Sequence, residues 1–527
     1  MQKALEMGRK SATGSFQLFI GVAASTIIMA IGTIILARLI TQEEYGLYTV
    51  ALIPSATATL FRDWGVNSAI VKYAASLRAE NKEEKAYEII VSGILFEVLM
   101  GLALSTILIS LSGFLASTVF QRPEISSLIA IASTTVFAGA LLTAAQSSFI
   151  SFERMELNSL TNICQAMAKT VASPILVLVG YGALGATLGY TISFIFAAII
   201  GLAVLYLTIV RRLKAKNPQK NGLSQALKGM LCYGVPLSIA SIISGFLMQF
   251  YAFLMAIYCS DAMIGNYQVA TQFATLLTFF TIPISTVLFP VFSKIDSQKE
   301  RELLRTVFTS SVKYTSMFLV PATMAVMVLS KPMVYTLFGE KWAYAPFFLT
   351  LYVIGNLFTI FGSLSLGNLL AGMGETKTQM KLSLITLAFG MPLASILIPF
   401  AGIAGLITTS IVAGLPSLSL GLYWTWKHYR VKFDARSSAK ILAASSIAAA
   451  TTFIATSFTA YADWIKLVVG GVTFIATFII VAPTLGAIER ADVANLKVMF
   501  SGLGVISKLL GIPLNAMETV QRLLAFR

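Results

Sequence analysis

The sequence predicts an all-α integral membrane protein of about fourteen transmembrane helices, and three observations predict it. Of the 527 residues, 57% are hydrophobic and only 12% charged, about half the charged share usual in a soluble domain. Apolar runs of about 20 residues recur from Phe16 to Ile488, each long enough to cross a ~30 Å hydrocarbon core at ~1.5 Å per residue. They do not alternate apolar with polar residues, so helices rather than barrel strands must satisfy the backbone in lipid. Basic residues, finally, gather in every second connection.

The first run, 16–40, follows a basic start (Lys3, Arg9, Lys10). It is too long for a signal-peptide core and no small-residue cleavage site follows, so it reads as a retained first span. The next five spans are 46–71, 89–115, 125–151, 158–180 and 183–210. Then come 232–259, 263–292, 306–330, 346–371, 378–400 and 402–426, and last 439–460 and 464–488. Connections after odd-numbered spans carry acid or little charge: Thr41-Gln42-Glu43-Glu44, Cys259-Ser260-Asp261, Tyr461-Ala462-Asp463. Those after even-numbered spans are basic, as in Lys72 to Lys85, Arg211 to Lys216, Lys294 to Arg305 and Lys427 to Arg436; Lys331 and Lys341 are the main exception. The positive-inside rule then predicts both termini in the cytoplasm. It also accounts for the net charge of +15 without nucleic acid.

The chain repeats itself. Glu44 to Ala51 resembles Met263 to Ala270, each opening the second span of its half, and Gly182-Ala183-Leu184-Gly185 resembles Gly402-Ile403-Ala404-Gly405 at the sixth. Six spans per period, an even number, imply parallel repeats about an axis along the membrane normal. The expected organisation is an N-lobe over 1–210 and a cytoplasmic linker over 211–231. A C-lobe follows over 232–430, then two added spans within 431–488 and a cytoplasmic or interfacial tail over 489–527.

Several motifs carry no chemistry. Cys164, Cys232 and Cys259 have no metal spacing, and His428 is the only histidine; no metal, cofactor or catalytic residue is expected. Gly180-Tyr181-Gly182-Ala183-Leu184-Gly185 fits a dinucleotide pattern, yet it falls between two spans and reads as a tight turn. No connection is long enough to house an extramembrane active site, which argues against a membrane glycosyltransferase.

Polar residues inside spans are the candidate site. Gln268, Thr271, Gln272 and Thr275 share one helical face; this stripe reads as the wall of a wet lumen, against the alternative of helix–helix hydrogen bonding. Arg62, Asp63, Glu97, Lys169 and Lys313 are ionisable residues within spans, and each costs about 2.5–3.5 kcal/mol if unpaired at the centre. Counted from the cytoplasmic ends of their spans they lie roughly 12–18 Å deep. A common depth suggests one polar chamber with a net positive charge, the alternative being internal ion pairs, with Asp63 and Glu97 as the acids.

The segments Leu36 to Tyr48, Asp63-Trp64-Gly65, Gly265-Asn266-Tyr267, Pro283 to Pro290, Leu337-Phe338-Gly339-Glu340 and Leu370 to Lys377 resemble the polysaccharide-biosynthesis flippases. These are the Wzx-type branch of the multidrug/oligosaccharidyl-lipid/polysaccharide exporter superfamily. The resemblance covers about residues 10 to 430. It implies two six-helix lobes around a central cavity, alternating access across the cytoplasmic (plasma) membrane and a polyprenyl-(di)phosphate-linked oligosaccharide as cargo. It further implies cationic side chains in the cavity, a role that Arg62 matches by its place beside Asp63-Trp64-Gly65; Lys169 and Lys313 rest on depth alone. Glycosyltransferases of the same pathway would be partners, with H⁺ or Na⁺ open as the coupling ion. A multidrug or small-metabolite antiporter of the same superfamily is the alternative.

Overall fold

The computed structural model describes the backbone of residues 2–213, 222–296, 299–457, 461–500 and 505–525, and most side chains from Gly21 onward. Among the described residues all regular structure is helical. In order these are α1 (Gln2–Leu39), α2 (Gln42–Leu60), α3 (Val66–Ala79), α4 (Glu83–Phe114), α5 (Ser126–Ser151), α6 (Met155–Leu176), α7 (Gly182–Leu205), the single turn α8 (Arg211–Leu213), α9 (Gly222–Tyr258) and α10 (Asp261–Lys294). There follow α11 (Arg301–Val328), α12 (Ser330–Phe338), α13 (Ala345–Val353), α14 (Ser363–Gly372), α15 (Thr376–Val412), α16 (Gly414–Tyr429), α17 (Ala435–Ser457), α18 (Asp463–Thr484), α19 (Arg490–Phe500) and α20 (Val505–Ala525). Residues 214–221 of the expected linker lie outside the described residues.

Local sequence explains the boundaries. Thr41 caps α2: the Glu44 N–H donates to Thr41 Oγ1 at 3.2 Å and the Thr41 N–H donates to Glu44 Oε2 at 3.1 Å, a reciprocal capping box. Among the described residues nine helical stretches are long and apolar enough to cross a membrane, ten if the bent pair Ala345–Phe361 and Ser363–Gly372 counts as one. Two of the nine, Met155–Val210 and Thr376–Tyr429, have 56 and 54 residues, over twice the ~20 that one crossing needs. Each folds back on itself at glycine. In the first, Gly180 and Gly182 take φ of 101° and 46°, and a side chain on Gly182 would lie 2.1 Å from the Glu44 carboxylate. In the second the turn is at Gly402, φ 57°.

The expected count of fourteen is not established by these helices. Span two is not the continuous 46–71 that hydropathy suggests: it is broken over 61–65 into α2 and α3. Span ten is bent by 58° between Phe361 and Ser363.

The chain forms two compact units, Met1–Gly265 and Asn266–Arg527. In the first, α6 packs on α1 and α7, α5 on α4 and α7, and α9 on α2, α3 and α4. Val66, Ile70, Ile90, Phe149 and Met230 centre one of its cores, while Leu99, Leu178 and Ile199 are more than half exposed, as side chains solvated by lipid should be. α9, grouped by the sequence repeat with 232–430, packs within this unit. The repeat is visible in one contact of the unit. A Cβ on Gly46 would lie 2.0 Å from the Asp261 carbonyl oxygen, and one on Gly265 would lie 2.3 Å from that of Gln42. At the spacing of the repeat Gln42 corresponds to Asp261 and Gly46 to Gly265, so the first turns of α2 and α10 meet reciprocally.

In the second unit the tail packs against the helices before it. Leu496, Leu514 and Met517 join Met317, Val320 and Phe478 in one buried cluster, and Gln521 Nε2 donates to the Ile488 carbonyl at 2.8 Å.

Candidate functional site

The break in span two builds the first constellation. Trp64 and Gly65 take φ of 47° and 76°, and two successive left-handed residues cannot continue a right-handed helix. For a bulky side chain that geometry costs about 1–2 kcal/mol. Packing holds it: a Cβ on Gly65 would lie 2.4 Å from the Gly234 carbonyl oxygen of α9, and one on Gly234 2.6 Å from that of Trp64. α3 then restarts with Asp63 Oδ1 accepting the Asn67 N–H at 2.8 Å.

Beside the break, Arg62 turns into the unit. Its Nε lies 3.0 Å from Glu97 Oε2, the two side chains being 5% and 0% exposed. Arg62 Nη2 donates to Thr143 Oγ1 at 2.8 Å and Nη1 to the Val136 carbonyl at 3.5 Å. The second Glu97 oxygen accepts from Asn67 Nδ2 at 2.7 Å, and the Asp63 carboxylate adjoins Glu97. Arg62 is therefore engaged on both arms of its guanidinium, an arrangement of the internal ion-pair kind.

Lys169 stands apart. It is reached about 16 Å before the Gly180 turn and about 21 Å after the start of α6, deep from either end. Its Nζ sits 5.1 Å from the centroid of Tyr190 on α7. Tyr190 meets Tyr48 of α2 edge-on at 6.3 Å, and Tyr48 stacks on Tyr45 at 5.9 Å. Among the described residues no carboxylate lies within ion-pair distance of Lys169. An ammonium over a ring face gains a modest attraction from the aromatic quadrupole.

In the first unit, then, Arg62 and Glu97 form an ion pair and Lys169 has the Tyr190 ring. Lys313, in the second unit, is paired: its Nζ lies 2.7 Å from Asp492 Oδ2 at the start of the tail, and the adjacent Tyr314 hydroxyl accepts from Asn495 Nδ2 at 3.0 Å. That pairing removes Lys313 as an open cation. On α10, Gln268, Thr271 and Gln272 are half-buried while Val269, Ala270, Phe273 and Ala274 are buried; Thr271 Oγ1 donates to the Gln268 carbonyl at 2.9 Å. The side chain of Thr275 lies outside the described residues. Sequence reasoning missed Asn67, Thr143, Tyr190 and Asp492. Only Asn67, one turn after Asp63, carried a local signal. It also missed Arg122, whose guanidinium pairs with Asp261 at 2.7 Å and donates to the carbonyls of Cys259 at 2.8 Å and Phe120 at 2.9 Å.

Among the described residues no group of three His, Cys, Asp or Glu is placed to hold a metal. The first unit holds hydrogen-bonding groups at a broken helix and a deep cation over the Tyr190 ring.

Comparison with known proteins gives this arrangement a context. The model of a family described as polysaccharide biosynthesis protein matches residues 35–346. The chain is 26% identical over 376 residues to the lipopolysaccharide biosynthesis protein WzxC of Escherichia coli (strain K12), covering 68% of this chain and 69% of that one. It is 20% identical over 201 residues to the probable low-salt glycan biosynthesis flippase Agl15 of Haloferax volcanii, covering 37% and 42%. Among solved structures it resembles the lipid II flippase MurJ in an inward closed conformation, with TM-score 0.70 and 17% identity over 89% of this chain and 99% of that one. An inward-facing multidrug resistance MATE transporter of the MOP superfamily matches with TM-score 0.65 and 15% identity, over 77% and 94%. The fold is that of these transporters.

Proposed function

Since the chain belongs to the polysaccharide biosynthesis protein family, we propose that it is a flippase that moves a polyprenyl-(di)phosphate-linked oligosaccharide across the cytoplasmic membrane. The observation that carries the reading is Lys169. A cation this far from either end of its helix, with no carboxylate beside it among the described residues, is expensive in lipid and is stabilised by an anion that arrives. A phosphate group on a lipid carrier is such an anion, and an ammonium meets it as a point charge. Cargo and protein then lower each other's desolvation cost in a medium where Coulomb attraction is strong.

The sugar and phosphate head travels through the protein while the prenyl chain stays in hydrocarbon. Access alternates between the two faces, both termini lie in the cytoplasm, and the chemistry is movement only, with no bond made or broken. Glycosyltransferases of the pathway supply the cargo, and H⁺ or Na⁺ is the candidate coupling ion, with Asp63 and Glu97 the acids nearest such a role. The names of WzxC, Agl15 and MurJ support the cargo class.

Deleting the gene should make one lipid-linked oligosaccharide accumulate, identified by mass spectrometry of extracted lipids. Wild-type chain and Lys169→Arg should clear it, and Lys169→Ala should not, at equal membrane abundance. Full clearance by Lys169→Ala would remove the lysine from the transport path.

A further inference from the structure

A cavity of about 200 Å³ lies beside the broken segment of span two, in the first unit. Two close approaches of α2 and α3 to α9 bound it. At one end the backbones of Gly65 and Gly234 touch, and at the other Leu60 packs on Gly245, where a Cβ would lie 2.6 Å from Leu60 Cδ2. Between these contacts the walls carry Thr59, Asp63, Trp64, Ser68, Ser238 and Ser241. Ser238 and Ser241, three apart on α9, share one helical face. No lysine or arginine lines the space.

Size and charge narrow the occupant. A water fills only about 10–15 Å³ on this kind of measure, so a bare cation would leave the space largely empty. Drug-sized ligands take pockets of about 300–1,000 Å³, so a whole lipid-linked oligosaccharide does not fit. One sugar ring lies between those limits. The Asp63 carboxylate repels phosphate and accepts from paired hydroxyls. Four small hydroxyl side chains both donate and accept, as a polyol requires. Trp64 and Leu60 offer apolar surface to the C–H face of a ring. A carboxylate, hydroxyls and an indole around a ring-sized space form a set suited to neutral carbohydrate.

We propose that this cavity is a subsite for one uncharged sugar ring of the cargo's glycan head, with Asp63 and the serines of α9 as hydrogen-bonding partners and Trp64 as the stacking surface. It rests on the flippase reading and adds a division of labour to it. Phosphate goes to Lys169, and a sugar goes to the broken segment of span two.

The test uses the purified full-length chain in detergent, read by tryptophan emission. The probes are free neutral hexoses and N-acetylhexosamines, then NaCl against choline chloride, then inorganic phosphate. At least one neutral sugar should give a saturable change in wild type that phosphate does not reproduce. The change should vanish in Trp64→Phe, which removes the reporter, and weaken at least tenfold in Asp63→Ala. It should also be lost in Ser241→Phe, which fills the cavity from an exposed position outside the break and decides the matter should Asp63→Ala not fold. No saturable sugar response, an undiminished response in Ser241→Phe, or a response to Na⁺ alone would overturn the subsite. Binding here needs no transport. A chain that transports but binds no sugar sinks the subsite alone. A chain that binds sugar, yet whose deletion accumulates no lipid-linked glycan, sinks the flippase reading alone.

Discussion

Arg62 and Lys169 are both cations within apolar spans, yet they have opposite fates. Arg62 is paired with Glu97, 3.0 Å away, whereas Lys169 has the Tyr190 ring instead. The residue types and their presence inside spans were legible in the sequence, because a charge in an apolar run is visible on inspection. Their partners were not. Glu97 is on a different helix, and Asp492, which takes Lys313, is in a tail with no apparent tie to span nine. Removing one member of a buried pair leaves the other charge uncompensated, at a cost of about 3–5 kcal/mol. Glu97→Gln should therefore lower the thermal stability of the purified protein by that order. Arg62→Gln in the same chain should restore part of it, with a coupling of about 1–3 kcal/mol in the double-mutant cycle. Additive losses would mean that the two side chains act independently.

At the scale of elements, apolar runs marked most spans because lipid demands them, and glycines marked the hairpin turns at Gly180–Gly182 and Gly402. The break in span two was not legible. The apolar pattern runs on past Asp63 into Val66, Ala69 and Ile70, and what stops the helix is a backbone contact with Gly234 on a distant helix. The Arg122 staple was equally hidden, since a single arginine in a short connection looks like any other. Its guanidinium joins the α4–α5 connection to Asp261 and to the Cys259 carbonyl after α9, and it is only 11% exposed. Charge-assisted hydrogen bonds of this kind contribute about 1.5–3 kcal/mol each. Arg122→Ala should lower the melting temperature measurably, and Arg122→Lys should recover only a fraction, because lysine cannot span several acceptors with one planar fork. Wild-type melting in Arg122→Ala would show that the staple contributes nothing.

For the whole molecule, composition and periodicity were enough for the class, since 57% hydrophobic residues in long runs have no soluble solution. Motifs such as Leu36 to Tyr48 were enough for the family. The arrangement of charges into two constellations and one tail contact was not available, because it depends on packing between remote segments. The central claim is that this chain carries a lipid-linked oligosaccharide past Lys169. Its most direct test is reconstitution into proteoliposomes with the lipid that accumulates in the deletion strain. The rate at which the glycan becomes accessible to a membrane-impermeant lectin or glycosidase is then followed. Wild-type chain should expose the inner-leaflet pool well above the rate of empty vesicles, and Lys169→Ala, reconstituted equally, should be slower by roughly tenfold or more, ~1.4 kcal/mol or more on the barrier. A wild-type rate equal to that of empty vesicles, or a Lys169→Ala rate equal to wild type, would contradict it.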